Sequence, residues 1–93
     1  MHVAALRLEL RLSDCTARHH KRRRMREIVD RLHRHFNVSL AEVDLEDLVD
    51  RSVLGVSVVA PSRREALESV ERVAEAVQAH PLVEVVQLVL HEF

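Results

Sequence analysis

Aromatic residues are nearly absent: Phe36 and Phe93 are the only two among 93 residues, and there is neither Trp nor Tyr. Sheet surfaces that read single-stranded RNA stack bases on exposed aromatic rings, so that mode of recognition is excluded. Cys15 is the only cysteine, which rules out an intrachain disulfide and fits a reducing compartment. Gly55 is the only glycine, so no glycine-rich loop can cradle a phosphate. Unbroken apolar runs are also missing. The opening "MHVAALRLELRL" alternates charged and apolar residues and resembles neither a signal peptide nor a membrane span, and the chain is expected to be cytoplasmic.

What is present points to a folded domain. The hydrophobic share of 47% and the charged share of 31% lie well away from the composition of disordered chains, and 14 basic residues nearly balance 15 acids for a net charge of −1. With no internal linker or low-complexity segment, residues 1–93 are expected to form one domain with one core.

The hydrophobic period changes four times along the chain. Leu6, Leu8, Leu10 and Leu12 share one parity and Arg7, Glu9 and Arg11 the other, which predicts a half-buried strand over "HVAALRLELRL". "SDCT" follows as a turn suited to capping a helix. From about Ala17 to Phe36, the residues Met25, Ile28, Val29, Leu32 and Phe36 form one helical stripe, which Asn37 can end in a left-handed conformation. "VSLAEV" and "SVLGVSVVAP" read as two antiparallel strands joined by the acidic stretch "DLEDLVD". Gly55 within the second of these marks a bulge or a close approach. Ser62 and Glu65 predict a capping box for a second helix whose buried stripe is Ala66, Leu67, Val70, Val73, Ala74 and Val77, stopped by Pro81. "LVEVVQLVL" is the last strand. The order strand, helix, strand, strand, helix, strand is a doubled βαβ unit and predicts an α+β, ferredoxin-like sandwich: a four-stranded antiparallel sheet with both helices on one face. The other face is open, with Val3, Val53, Val59, Val83, Val85 and Val89 expected on it beside Arg7, Glu9, Arg11 and Gln87. The last strand is apolar on both parities and lies at an edge, so a homo-oligomer is expected, with Val83, Val85 and Val89 at its interface.

The most unusual stretch is "RHHKRRR", seven consecutive basic or potentially basic residues from Arg18 to Arg24. Beyond it, Glu27 and Asp30 stand at spacings that favour pairs with Arg31 and Arg34. No acid lies between Asp14 and Glu27, although cations at a helix N-terminus oppose the backbone dipole, each at a cost of about 0.3 to 1 kcal/mol when exposed at low salt. A bound phosphate or carboxylate would supply the missing counter-charge. Arg18, Lys21, Arg22, Arg23 and Arg26 are therefore candidate nucleic-acid-binding residues, with contact to the phosphate backbone and weak sequence preference. The plain alternative is a solvated helix face.

Metal chemistry finds little support. His19 and His20 diverge by about 100° on a helix, His33 and His35 point to nearly opposite sides, and His2 with His91 lacks a third ligand. The acids Glu42, Asp44, Glu46, Asp47 and Asp50 match no calcium loop and read as a solvated connection. A catalytic reading would start from Cys15, one turn from His19 and near cations. Nothing like an orienting acid or an oxyanion loop accompanies it, so it reads as a small thiol near the surface. No catalytic residue, cofactor or metal site is expected.

The segments "MHVAALRLELRL", "HFNVSLAEV" and "LGVSVV", together with the basic segment before the first helix, resemble the bacterial YlxP-like family, a small family of unassigned function. The likeness runs essentially end to end. It departs at Ala17, Arg18, His19 and His20, where the family reads Ser-Leu-Lys-Glu, while Lys21 and Arg22 keep its closing basic pair. The resemblance implies a cytoplasmic ferredoxin-like domain whose genes often neighbour translation and ribosome-maturation genes. Two functions follow as expectations: a non-enzymatic accessory domain that associates with RNA or a ribonucleoprotein, or a self-associating protein-interaction module that uses the open sheet face and edge strand. Neither needs a membrane.

Overall fold

The computed structural model of the chain describes all 93 residues. Its elements are β1 (His2–Leu12), α1 (Arg18–His35), β2 (Ser39–Asp44), β3 (Arg51–Ala60), α2 (Arg63–Gln78) and β4 (Val83–Glu92). The strands form one antiparallel sheet in the order β2-β3-β1-β4, with both edges as expected and the two helices on one face. This is the ferredoxin-like arrangement. No helix is long and apolar enough to cross a membrane.

Alternation in β1 organises the core. Ala4, Leu6, Leu8, Leu10 and Leu12 are all buried under the helices, and each fully buried leucine contributes about 2 kcal/mol. Onto them pack Met25, Ile28 and Leu32 of α1 and Ala66, Val70, Val73, Ala74 and Val77 of α2, with Leu54, Val56 and Val58 of β3 completing the floor. Cys15 belongs to this cluster. It is buried, not a thiol near the surface.

The helix ends follow local chemistry unevenly. At α2 the Ser62 hydroxyl accepts the Glu65 N–H (3.2 Å), the first half of the expected box, while the Glu65 carboxylate accepts from that same hydroxyl (2.9 Å) in place of the Ser62 backbone N–H. At α1 the cap is Ala17, which offers no side chain, and "SDCT" supplies none either. Thr16 instead donates its backbone N–H to His20 Nδ1 (3.2 Å). Asn37 does not end α1 in a left-handed turn, because the chain already leaves the helix extended at Phe36 (φ −136°). The two non-glycine residues with positive φ are Asp14 (61°) and Leu45 (56°), one in each turn that brings the chain beside the start of α1.

The open face differs from its expected content at β4. A register irregularity between Glu9 and Leu10 shifts the pairing from Glu9↔Gln87 to Leu10↔Val85, and one extra residue on β4 swaps the faces beyond it. Val89 and Gln87 therefore lie on the open face. Val85 packs against the core and Val83 is buried in it, which corrects their assignment to an exposed interface. Val53 does face the open side, yet it has no exposed surface. Three cross-strand ion pairs occupy that half of the face: Arg7 with Asp44 (3.1 Å), Arg11 with Glu84 (3.4 Å) and Arg51 with Glu9. At Gly55 a Cβ would stand 2.9 Å from Val43 Cγ1, so the glycine serves close approach, and the irregularity of that strand pair falls at Glu42 and Asp44 instead.

Candidate functional site

The lysine and arginines of the basic run, with Arg26 just beyond it, divide into two groups with different roles. Lys21 lies on the apolar side of α1 with Met25, Ile28 and Leu32. It is 5% exposed and its Nζ is ringed by the carbonyl oxygens of Leu45 (2.8 Å), Glu46 (3.2 Å) and Leu48 (2.6 Å) and by Glu42 Oε2 (3.0 Å). Four oxygens surround three ammonium protons. The same Glu42 carboxylate accepts the hydroxyl of buried Ser52 (2.5 Å). Lys21 is thus the post on which the β2–β3 connection folds, and it is withdrawn from the candidate phosphate-binding set. A buried ammonium needs a partner and saturated hydrogen bonds, and the acidic stretch 44–50 supplies backbone carbonyls for it where a solvated loop was expected.

Arg24 is also structural. Its Nη1 donates to the carbonyls of Ser13 (2.9 Å) and Leu82 (3.0 Å), pinning α1 to the turn after β1 and to the approach to β4. Beside it, His80 is buried. Its Nδ1 accepts the Leu82 N–H (3.1 Å), which leaves Nε2 to donate to Glu27 Oε1 (3.1 Å). Glu27 is therefore engaged across the molecule, and neither Glu27 with Arg31 nor Asp30 with Arg34 forms an ion pair within 4.0 Å.

The second group comprises Arg18, Arg22, Arg23 and Arg26, all exposed and none with a carboxylate within 4.0 Å. Arg18, Arg22 and Arg26 recur every fourth residue and so form a row along one flank, with Arg23 one position round toward solvent. They stand on the first turns of a helix that has no acid in its first turn and no side-chain cap. Only Arg18 stands in the first turn, where the backbone potential is positive, and Arg22, Arg23 and Arg26 carry the free positive charge on along the next two turns. Arginine forks suit phosphate oxygens better than lysine point charges do.

The remaining candidates are dispersed. His2 and His91 do not meet: His91 pairs with Ala5 on the open face and stacks on Phe93, whereas His2 turns to the helix side toward Glu92 (3.3 Å). No three His, Cys, Asp or Glu side chains converge on a point that could hold a metal ion. Glu92 is held by Arg63 through two hydrogen bonds (2.7 and 3.1 Å), an interaction that keeps its carboxyl below the usual carboxylate value.

Sequence reasoning missed the Lys21 and His80 anchors. The only available signal was a lysine on the apolar side of a helical wheel; His80, in a turn, left none. No curated protein shows significant similarity to the chain. A family model described as "Protein of unknown function (DUF503)" matches residues 3–89, nearly the whole length, and the chain therefore belongs to that family.

Proposed function

We propose that the protein is a non-enzymatic accessory domain that associates with RNA or a ribonucleoprotein through Arg18, Arg22, Arg23 and Arg26. The observation that carries this reading is the cluster of four exposed guanidinium groups without carboxylate partners, three of them in one row, along the first half of a helix that begins without a side-chain cap. The likeness to the YlxP-like family, with its translation-linked gene neighbourhood, supports the same partner class and a cytoplasmic setting. Binding would be led by the phosphate backbone, since no aromatic platform is available for stacking bases.

Fluorescence polarisation with a structured RNA tests it. Four phosphate contacts predict about a 100-fold loss of affinity between about 50 and about 200 mM salt. The double substitution Arg22→Glu with Arg23→Glu should abolish binding while leaving the fold intact. Absence of salt-sensitive binding in the micromolar range overturns the reading.

A further inference from the structure

We propose that two copies of the chain pair through β4 in an antiparallel, two-fold symmetric dimer whose axis passes through Val89, joining two four-stranded sheets into one of eight strands. The inference is independent of the polyanion reading and rests on the unequal design of the two sheet edges. The β2 edge is six residues long, irregular between Glu42 and Asp44, and bears both of those carboxylates, features that discourage pairing. The β4 edge is ten residues long, keeps its two carboxylates, Glu84 and Glu92, at its ends, and has no proline, lysine or arginine between Val83 and Glu92. Its irregularity lies at the Val85 end, so the stretch from Gln87 to Glu92 runs straight.

The phase of that stretch is set by its end. The Phe93 N–H donates to Val3 O (3.0 Å), so residues of that parity turn their backbone groups to β1 and Leu88, Leu90 and Glu92 turn theirs outward. The same edge is apolar. Leu88 and Leu90 stand on the helix side beyond the reach of α2, 43% and 42% exposed, and rim a groove of about 300 Å³ floored by Leu6, Leu67, Val70 and Ala74.

A second copy is the occupant because the edge complements itself in one register. With the axis on Val89, Leu88 of each chain faces Leu90 of the other, Gln87 faces His91, and no carboxylate opposes another. Leu88 and Leu90 also carry the outward backbone groups, so each such pair exchanges two hydrogen bonds, about four in all. Moving the axis to Leu88 brings Glu84 toward Glu92, and moving it to Leu90 sets Leu88 against Glu92. The partner's leucines then close the rim of the groove. A paired length of about 23 Å, with the leucine contacts, buries on the order of 1,000 Å² in total, the lower end for a specific interface, which makes this a small and reversible one.

Sedimentation velocity of the full chain from about 1 to about 300 μM should show a monomer–dimer equilibrium, and Leu90→Lys should sediment as a monomer throughout with an unchanged circular-dichroism melt. Mild oxidation tests the register. Val89→Cys should give a disulfide-linked dimer, because residues on the axis form a non-hydrogen-bonded pair with Cα atoms about 4.5 Å apart. His91→Cys lies about 13 Å from its mate and should stay monomeric. The wild-type chain, whose only thiol is buried, sets the background. A wild-type protein that is monomeric across the range, a Leu90→Lys dimer, or cross-linking of His91→Cys as fast as Val89→Cys each overturns the proposal.

Discussion

Near neighbours in one basic run do opposite work, and their exposure decides which. Lys21→Met removes an ammonium from four oxygens, leaving three carbonyls without their donor and Glu42 with the Ser52 hydroxyl alone, a loss of about 2 to 4 kcal/mol. In a chain of this size that lowers the melting temperature by roughly 10 to 25 °C. Arg23→Ala, two residues along and on the surface, should change stability by no more than about 0.5 kcal/mol. Thermal unfolding of the two variants measures the contrast. The Arg63–Glu92 pair gives the acid response. Because Arg63 holds the folded carboxyl below its ordinary value, the pair's contribution is complete above the ordinary carboxylate range and disappears as pH falls through the lowered folded value. Arg63→Ala should therefore lose stability relative to wild type near neutral pH, with the two converging in acid; urea titrations at several pH values test this.

At the scale of elements, β4 is the instructive case. Its residues Val83 and Val89 look equivalent in a run apolar on both parities, but the irregularity opposite Glu9 and Leu10 puts Val83 in the core and Val89 on the open face. Val83→Glu places a carboxylate where a side chain is 8% exposed and should abolish cooperative unfolding at ambient temperature. Val89→Glu should fold with nearly wild-type stability. Circular dichroism separates them. The helices show a related contrast: α2 is capped by Ser62 and Glu65, whereas α1 starts at an alanine and is held by tertiary anchors, Lys21 to the β2–β3 connection and Arg24 to Ser13 and Leu82.

For the whole molecule, the two proposed surfaces lie on different elements, the polyanion contact on α1 and the self-association edge on β4. Leu90→Lys should keep salt-sensitive RNA binding, apart from any loss of avidity from two linked sites. The Arg22→Glu and Arg23→Glu double variant should keep the dimer. Polarisation and sedimentation on the same two proteins check both statements. Loss of both properties in both variants would mean that one surface does both jobs.

The strict alternation of β1, the 3.6-residue stripes of α1 and α2 and the Ser62 box determine the element order and the helix-covered face from the sequence alone, because each is a local pattern in which every residue constrains its neighbours. The row of arginines was legible for the same reason. Contacts between distant segments were not: that Glu42 and the carbonyls of 45, 46 and 48 would answer Lys21, that His80 would take Glu27 from Arg31, and that one extra residue in β4 would bury Val83 and turn Val85 against the core. Those outcomes depend on which surfaces meet when the layers close. A charge beside a dipole is visible along a chain, but the group that answers it, 21 to 53 residues away, is chosen only by the packed fold.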